Sequence, residues 1–162
     1  MKKLVVFDLD ETLWTLSEGY CDLMQPPFRR DGDCVRDATG LTLTLRADAR
    51  RTLDALQGRG LFISAASRSR PETAGEILRL LRLDDHLSFP CLAWQAKDHS
   101  ISQILASFRK LGGVRLEPRD VLFVDDWPSN IRDAARLGVQ GLLFGRDVRC
   151  LSEVLHHLNG SG

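Results

Sequence analysis

The chain has 162 residues, of which 43% are hydrophobic and 27% are charged. This composition is typical of a globular domain with one sizeable core, and it argues against a disordered chain or a membrane protein. The 22 acidic and 22 basic residues balance, and the sequence has no basic stripe. We therefore expect neither a nucleic-acid partner nor a membrane partner.

The N-terminus and the cysteines predict a cytoplasmic protein. The apolar stretch of MKKLVVF reaches Asp8 too soon for a signal peptide, and no later run is long enough to span a bilayer. The four cysteines are widely separated and form no C-x-x-C pair, so we expect free thiols in a reducing compartment. The final Gly-Ser-Gly is expected to be a tail.

Apolar runs and helical periodicities alternate along the chain. Strands are predicted at residues 3–8, 61–66, 89–94, 121–124 and 142–144. Helices are predicted at residues 47–58, 71–83, 101–111, 129–137 and 151–158. Near-continuous apolar strands separated by helices predict an α/β fold, a Rossmann-like doubly wound parallel sheet covered on both faces.

Polar residues follow four of the predicted elements at the edge where such sheets bind ligands. The first strand runs into Asp8-Leu9-Asp10-Glu11-Thr12, the second into Ser67-Arg68, and the fourth into Asp125-Asp126, while Lys97 follows the third. Any one of these aspartates alone would more often be a turn former or a helix cap. Their convergence on one sheet edge favours a functional site.

The order of these motifs resembles that of the haloacid dehalogenase-like superfamily of phosphotransferases. Its pattern is D-x-D-x-T after an apolar strand, then a strand-end serine, a lone lysine and a strand-end Asp-Asp. Within that superfamily the chain is most similar to the magnesium-dependent phosphatase-1 family, with FDLDETLW, PPF, VRD, AASR and DDWPSNI in the expected order. The resemblance covers nearly the whole chain and is weakest at residues 89–97.

The resemblance implies a Mg²⁺-dependent phosphomonoesterase. Asp8 would attack phosphorus and form an aspartyl-phosphate, and Asp10 would carry the proton to and from the reacting oxygens. Mg²⁺ would bind Asp8, Asp10 and Asp126, with Asp125 as the second choice for the last position. If the first strand stays extended, alternation puts Asp8 and Asp10 on the same side, where one cation offsets their repulsion.

The same resemblance implies a phosphoryl-binding set. Ser67 would bind the phosphoryl oxygens, together with backbone N–H groups near Leu9, Asp10 and Arg68. Lys97 would act as both a catalytic and a phosphate-binding group by neutralising those oxygens.

Residues 15–46 predict a short β-hairpin flap in a single phosphatase domain spanning 1–162, without a large cap. An open site would admit a phosphorylated small molecule or a phosphoprotein side chain, so sugar phosphates, glycated-amine phosphates and phosphotyrosine are all candidate substrates. Four flap residues are candidates for substrate contact, each equally compatible with packing or a solvated surface: Trp14, Tyr20, Arg29 and Arg30.

Several side chains near the motifs have an ordinary structural interpretation. Trp94 is expected in the core and Asn130 as the cap of the helix that begins there. Trp127 is expected either in packing contacts or at a wall of the site, with packing favoured. Glu11 has no assigned role.

Two alternative functions share parts of this pattern. A receiver-type phosphorylation switch also has an acidic Mg²⁺ pocket, but its acidic pair comes early and its lone phosphorylated aspartate later, the reverse of the order here. A glyceryl or phosphoryl transferase of the same superfamily acting on a carrier protein shares D-x-D-x-T-L-W, and extra carrier-binding sequence would distinguish it.

Overall fold

The structure is a computed structural model that describes residues 1–159, so the predicted Gly-Ser-Gly tail lies outside the described residues. The strands are β1 (Leu4–Phe7), β2 (Trp14–Leu16), β3 (Arg29–Asp31), β4 (Cys34–Arg36), β5 (Thr42–Leu45), β6 (Phe62–Ser67), β7 (Cys91–Leu92), β8 (Val121–Asp125) and β9 (Gln140–Leu143). The helices are α1 (Ala49–Gly58), α2 (Glu76–Leu80), α3 (Lys97–Lys110) and α4 (Pro128–Arg136). A π-helical turn, Pro71–Gly75, leads into α2, and Leu151–His157 is a 3₁₀ helix.

Strand β1 lies at the centre of a five-stranded sheet with the order β7-β6-β1-β8-β9. All its pairings are parallel, with β6 and β8 flanking β1. The four residues of β1 are apolar and buried, as expected of a strand covered on both faces. The predicted doubly wound parallel sheet is confirmed.

The pleat of β1 divides the core into two layers. Val5 and Phe7 point to the layer that contains α1, α2 and the C-terminal 3₁₀ helix. Leu4 and Val6 point to the layer that contains α3 and α4. Because successive side chains of a strand face opposite sides, one short apolar run holds both layers together.

Two predicted elements are shorter in the structure. The strand expected at residues 89–94 is only Cys91–Leu92, because Phe89 has a left-handed backbone with a φ of 51° and Pro90 lacks a backbone donor. The helix expected to reach residue 83 ends at Leu80, since Arg82 also has a positive φ, of 58°. The predicted last helix is present in 3₁₀ form.

The predicted flap is a four-stranded antiparallel sheet with the order β2-β5-β4-β3. Gly32, with a φ of 59°, makes the turn between β3 and β4. In β5 the leucines Leu43 and Leu45 are buried, while Thr42 and Thr44 face outward. The buried side belongs to the same core layer as Val5 and Phe7, so the flap shares the core of the parallel sheet.

Asp37 stabilises the loop after β4 by accepting hydrogen bonds from its backbone and from Gln25. Its carboxylate accepts hydrogen bonds from the backbone N–H groups of Gln25 at 2.8 Å, Thr39 at 2.9 Å and Leu41 at 2.8 Å. The hydroxyl of Thr39 donates to it at 2.8 Å. Although burial acts to raise the pKa of Asp37, these donors outweigh burial and lower that pKa below its usual value.

Within residues 1–159, no helix is both long enough and apolar enough to cross a membrane. The four cysteines are free thiols, as the sequence predicts.

The lowered pKa of Asp37 predicts a pH-dependent stability. The carboxylate contributes its stabilisation fully above the usual aspartate pKa of about 4 and loses it as the pH falls through the lowered folded-state value. Asp37→Asn should therefore lower the melting temperature at neutral pH, and the gap to the wild type should close in acid. Circular dichroism melts from about pH 7 to about pH 2 measure this gap.

Asp31→Asn is the matched control for Asp37→Asn, because Asp31 is an exposed carboxylate on the same flap. The melting temperature of Asp31→Asn should differ little from that of the wild type at every pH. A difference between Asp37→Asn and the wild type that stays constant to the lowest pH measured would contradict the prediction.

Candidate active site

The carboxyl ends of three neighbouring strands bring the predicted site residues together. Strand β6 ends at Ser67 and β8 at Asp125, while Asp8 follows β1 directly. The backbone N–H of Asp8 donates to the carbonyl of Val124 at 2.9 Å, which continues the β1–β8 ladder by one step. The registers of the parallel sheet therefore place these three side chains at one edge.

A cavity of about 430 Å³ opens at this edge. Its lining residues are Asp8, Asp10, Tyr20, Asp22, Ser67, Arg68, Ser69, Trp94, Lys97, Trp127 and Asn130. Leu9 is buried in the core and is not among them, so only its backbone remains as the expected phosphate-binding group.

Lys97 lies at the base of the cavity with 1% of its surface exposed. It is the first residue of α3, and its ammonium donates to Asp8 Oδ1 at 2.9 Å and to the carbonyl of Ala66. Asp125 Oδ2 is 3.4 Å away. Burial acts to lower the pKa of Lys97, but the charges of Asp8 and Asp125 outweigh burial and raise it. The ammonium is therefore a fixed positive charge beside Asp8.

The carboxylate of Asp125 is fully buried and already has several donors. The backbone N–H of Trp127 donates to it at 2.8 Å, and the side-chain amide of Asn130 donates to both oxygens at 3.1 and 3.0 Å. Burial, together with the charge of Asp8, raises the pKa of Asp125 against the opposing effect of Lys97. Asp125 is thus held in place chiefly by contacts with α4 and α3.

The expectation that Asn130 caps a helix is wrong. Helix α4 begins at Pro128, and Asn130 lies within its first turn with its side chain buried against Asp125. Its amide oxygen accepts a hydrogen bond from Arg68 at 3.3 Å. Asn130 therefore links the loop after β6 to the end of β8.

Asp126 has fewer donors than Asp125. Its Oδ1 accepts from the hydroxyl of Thr12 at 3.3 Å, and the same hydroxyl lies 3.3 Å from Asp8 Oδ2. A hydroxyl has one proton, so it can donate to only one of these carboxylates at a time. Burial and the neighbouring Asp8 raise the pKa of Asp126 to about 6.

Asp8, Asp125 and Asp126 form the acidic group of the site. One carboxylate oxygen from each of the three lies within 4.8 Å of the other two, and among residues 1–159 the ammonium that contacts this group, at Asp8 and Asp125, is that of Lys97. Three carboxylates against one ammonium leave an excess of negative charge, and their oxygens are the ligands that a hard cation prefers. The group therefore fits a Mg²⁺ ion.

The side chain of Asp10 lies outside this acidic group. Strand β1 ends at Phe7, and the chain then turns, with the N–H groups of Thr12 and Leu13 donating to the carbonyl of Leu9. The condition under which Asp8 and Asp10 would share one side, that the strand stays extended through Asp10, is therefore not met. The Asp10 carboxylate also lines the cavity, and burial raises its pKa even though donors from Trp14 and Cys21 act to lower it.

Ser67 and Arg68 border the cavity from the loop after β6. The Ser67 hydroxyl oxygen accepts from the backbone N–H of Ser69 at 3.1 Å, which fixes the serine at the cavity wall. The guanidinium of Arg68 donates to the carbonyl of Gln95 at 3.1 Å and lies 5.9 Å from the ring centroid of Trp94. The loops after β6 and β7 thus hold each other in place.

Three exposed aromatic side chains form the rim of the cavity. Tyr20, Trp94 and Trp127 are 56%, 85% and 61% exposed. The expectation of a core position for Trp94 is therefore wrong. Of the two roles expected for Trp127, the structure shows the wall of the site and not packing. Among the flap candidates Tyr20 lines the cavity, whereas Trp14 is fully buried.

The remaining flap candidates lie elsewhere. Arg29 and Arg30 are exposed on β3 and are not part of the cavity lining, and Arg30 donates to the carbonyls of Gly32 and Leu80. Glu11, which had no assigned role, accepts from the backbone N–H of Leu16 at 3.1 Å and so supports the entry to the flap.

Two further residues line the cavity but were not predicted from the sequence. Ser69 follows Ser67 by two residues on the same strand-end loop, and that spacing could have indicated a second hydroxyl at the site. Asp22 lies in the middle of the flap, where nothing in the sequence distinguishes it from other surface carboxylates.

Residues 1–154 match the family model described as Acid Phosphatase. The chain belongs to the acid phosphatase family. This acid phosphatase family member is 32% identical over 160 residues to the Magnesium-dependent phosphatase 1 of Homo sapiens, a match that covers 96% of this chain and 86% of the human protein. The resemblance found in the sequence is thereby confirmed.

Solved structures agree on the fold of this acid phosphatase family member. A haloacid dehalogenase-superfamily hydrolase of subfamily IA, variant 1, from Geobacter sulfurreducens superimposes with a TM-score of 0.70 at 14% identity, covering 97% of this chain and 96% of that one. The N-terminal part of a Bacteroides fragilis protein, containing a phosphatase domain complexed with Mg, gives a TM-score of 0.62 at 21% identity over 98% of this chain and 39% of that one. At these identities the likeness shows the fold alone.

Removing the Lys97 ammonium should destabilise the folded chain, because it leaves the carboxylates of Asp8 and Asp125 buried without a neighbouring positive charge. We expect Lys97→Met to lower the free energy of unfolding by about 3 kcal/mol in the presence of a chelator. Urea titration followed by circular dichroism measures the change.

Lys110→Met is the matched control for Lys97→Met, because Lys110 is exposed at the other end of the same helix. Its effect should stay within about 0.5 kcal/mol. Equal effects of the two substitutions would contradict the assignment of Lys97 as the compensating charge of the acidic group.

Proposed function

We propose that this chain is a Mg²⁺-dependent phosphomonoesterase that works through an aspartyl-phosphate on Asp8. The observation that carries the proposal is the placement of Asp8 in the cavity, with Lys97 on one oxygen and two further carboxylates beside it. The name of the human relative, a magnesium-dependent phosphatase, supports both the reaction and the metal.

Asp8 and Asp126 are the carboxylates best placed to hold Mg²⁺. The oxygens of Asp125 already accept from Trp127 and Asn130 and lie close to Lys97. Among the residues that the structure describes, the only donor from another residue to Asp126 is the shared Thr12 hydroxyl. We therefore keep Asp126 as the first choice and Asp125 as the second. When bound, the ion supplies positive charge that offsets the repulsion between a carboxylate nucleophile and an anionic phosphoryl group.

In the first step a carboxylate oxygen of Asp8 attacks phosphorus. The bond from phosphorus to the ester oxygen breaks, and the proton held by Asp10 goes to that oxygen, which leaves as an alcohol. The Asp10 side chain is assigned to this proton transfer and not to the metal, because its oxygens face donors away from the acidic group. Its raised pKa supports a carboxyl group that can hold a proton.

In the second step a water molecule attacks the phosphorus of the aspartyl-phosphate. Asp10 takes the proton of that water, the bond to Asp8 breaks, and inorganic phosphate is released. The Asp8 carboxylate and the protonated Asp10 are thereby restored for the next cycle. Ser67 and Arg68 on one wall and Lys97 at the base would stabilise the negative charge on the transferring group.

The shape of the cavity supports substrates with a sizeable group beyond the phosphate. The flap adds no large cap over the site, and three exposed aromatic rings border the opening. A phosphorylated small molecule or a phosphoprotein side chain therefore fits the proposal. Phosphate release from sugar phosphates, glycated-amine phosphates and a phosphotyrosine peptide, measured side by side with Mg²⁺, ranks these candidates.

The nucleophile assignment predicts the loss of turnover in Asp8→Asn. Hydrolysis of p-nitrophenyl phosphate with Mg²⁺ should fall by at least about a thousandfold, because an amide cannot form the covalent intermediate. Chelation of the metal should also abolish wild-type activity. Asp31→Asn on the exposed flap strand is the control and should retain the wild-type rate. Full activity of Asp8→Asn would exclude the mechanism.

Metal binding should stabilise the folded chain, since it relieves the repulsion within the acidic group. At a Mg²⁺ concentration of about 100 times Kd, linkage predicts a gain of about 2.7 kcal/mol, seen as a higher melting temperature. Asp126→Asn should reduce the Mg²⁺-dependent rise, whereas Asp22→Asn should leave it unchanged. An equal rise in wild type and Asp126→Asn would remove Asp126 from the ligand set.

A further inference from the structure

We propose that Trp14 is the positioning residue for the proton carrier of this reaction, because its indole N–H holds the Asp10 carboxylate toward the leaving oxygen. The inference rests on the proposed function, in which Asp10 carries the proton. It assigns a role to a buried tryptophan that lies outside the cavity lining.

The contact between Trp14 and Asp10 is short, and its donor side chain is fully buried. The indole nitrogen donates to Asp10 Oδ1 at 2.7 Å, at the short end of the range for N–H···O bonds. Trp14 has 0% of its surface exposed, and an indole N–H can only donate. A buried donor without an acceptor is costly, so this tryptophan and this carboxylate hold each other in place.

The other Asp10 oxygen is held by weaker contacts. Oδ2 accepts from the backbone N–H of Cys21 at 3.2 Å and from the hydroxyl of Ser69 at 3.5 Å. The thiol of Cys21 in turn donates to the Ser69 oxygen at 3.1 Å. Among these side-chain and backbone donors the indole makes the shortest bond, so its loss should disturb the carboxylate most.

Both main donors to Asp10 come from the flap. Trp14 opens β2 and is paired with Leu45 of β5, and Cys21 begins the short 3₁₀ segment that follows. Strand β1 has ended at Phe7, so the parallel sheet itself fixes Asp8 but not Asp10. Packing alone could be satisfied by a phenyl ring, whereas the hydrogen bond to Asp10 requires the indole.

A misplaced Asp10 has a chemical signature that depends on the leaving group. An alkoxide leaves only if it receives a proton as the bond to phosphorus breaks, whereas p-nitrophenolate is stable without one. The ratio kcat/KM reports the first step, up to formation of the aspartyl-phosphate. A defect in proton delivery should therefore lower kcat/KM for an alkyl phosphate more than for p-nitrophenyl phosphate.

The experiment compares kcat/KM for glycerol phosphate and for p-nitrophenyl phosphate in Trp14→Phe. We expect the ratio of kcat/KM for glycerol phosphate to kcat/KM for p-nitrophenyl phosphate to fall on the order of tenfold relative to wild type. This is a part of the total rate enhancement that general acid catalysis supplies. Both substrates are measured on one preparation, so any loss of folded protein cancels in the ratio.

Leu43→Val is the matched control, because it removes packing from the buried side of the flap without removing a hydrogen-bond donor. Its ratio should equal that of wild type. An unchanged ratio in Trp14→Phe as well would overturn the proposal and leave Trp14 a packing residue.

Asp10→Asn separates this proposal from the function on which it rests. It should lower the ratio at least as far as Trp14→Phe. If Asp10→Asn lowers kcat/KM equally for both substrates, Asp10 is not the proton carrier. The proposed mechanism then fails, whatever the result for Trp14.

A second variant keeps the test decisive if Trp14→Phe does not fold. Benzothienylalanine inserted at position 14 by codon suppression keeps the bicyclic ring and replaces the N–H with sulfur. The same fall in the ratio is expected, and a wild-type ratio in this variant would contradict the role of the indole N–H.

Discussion

The buried ammonium of Lys97 is the interaction on which the rest of the site depends. It stands between Asp8 and Asp125, at 2.9 and 3.4 Å, in a region where an unpaired charge of either sign would be strongly destabilising. The sheet edge can therefore carry several carboxylates at close range only because α3 begins at this point. The remaining excess of negative charge makes the site suitable for a divalent cation.

In the proposed mechanism, the groups that balance charge and the group that carries the proton belong to two different parts of the fold. The parallel sheet and its helices fix Asp8, Asp125 and Lys97, whose positions follow from strand registers and helix starts. The flap fixes Asp10 through Trp14 and the backbone of Cys21. The two aspartates of D-x-D are only two positions apart in sequence, yet different substructures determine their geometry.

The parts of the fold and site that the sequence predicts are those that depend on strand ends. Apolar runs locate β1, β6 and β8, and the carboxyl ends of parallel strands meet at one edge, so Asp8, Ser67 and Asp125 can be brought together without coordinates. The direction of Asp10 could not be obtained this way. It depends on the turn after Leu9 and on a hydrogen bond from the flap, neither of which has a periodic signal.

The exposure of Trp94 was unpredictable for a similar reason. Residues 89–94 are apolar enough for a buried strand, and the left-handed backbone of Phe89, together with Pro90, confines the pairing to Cys91–Leu92.

The pairing of β2 with β5 bears on how such a domain can change over evolution. The first and last strands of the flap pair with each other at Trp14, while the turn at Gly32 lies at the opposite edge of the flap sheet. Residues added at that turn would close a longer loop at little entropic cost and would lengthen the flap without moving Asp10. Substrate range and catalytic chemistry can therefore diversify independently in this architecture.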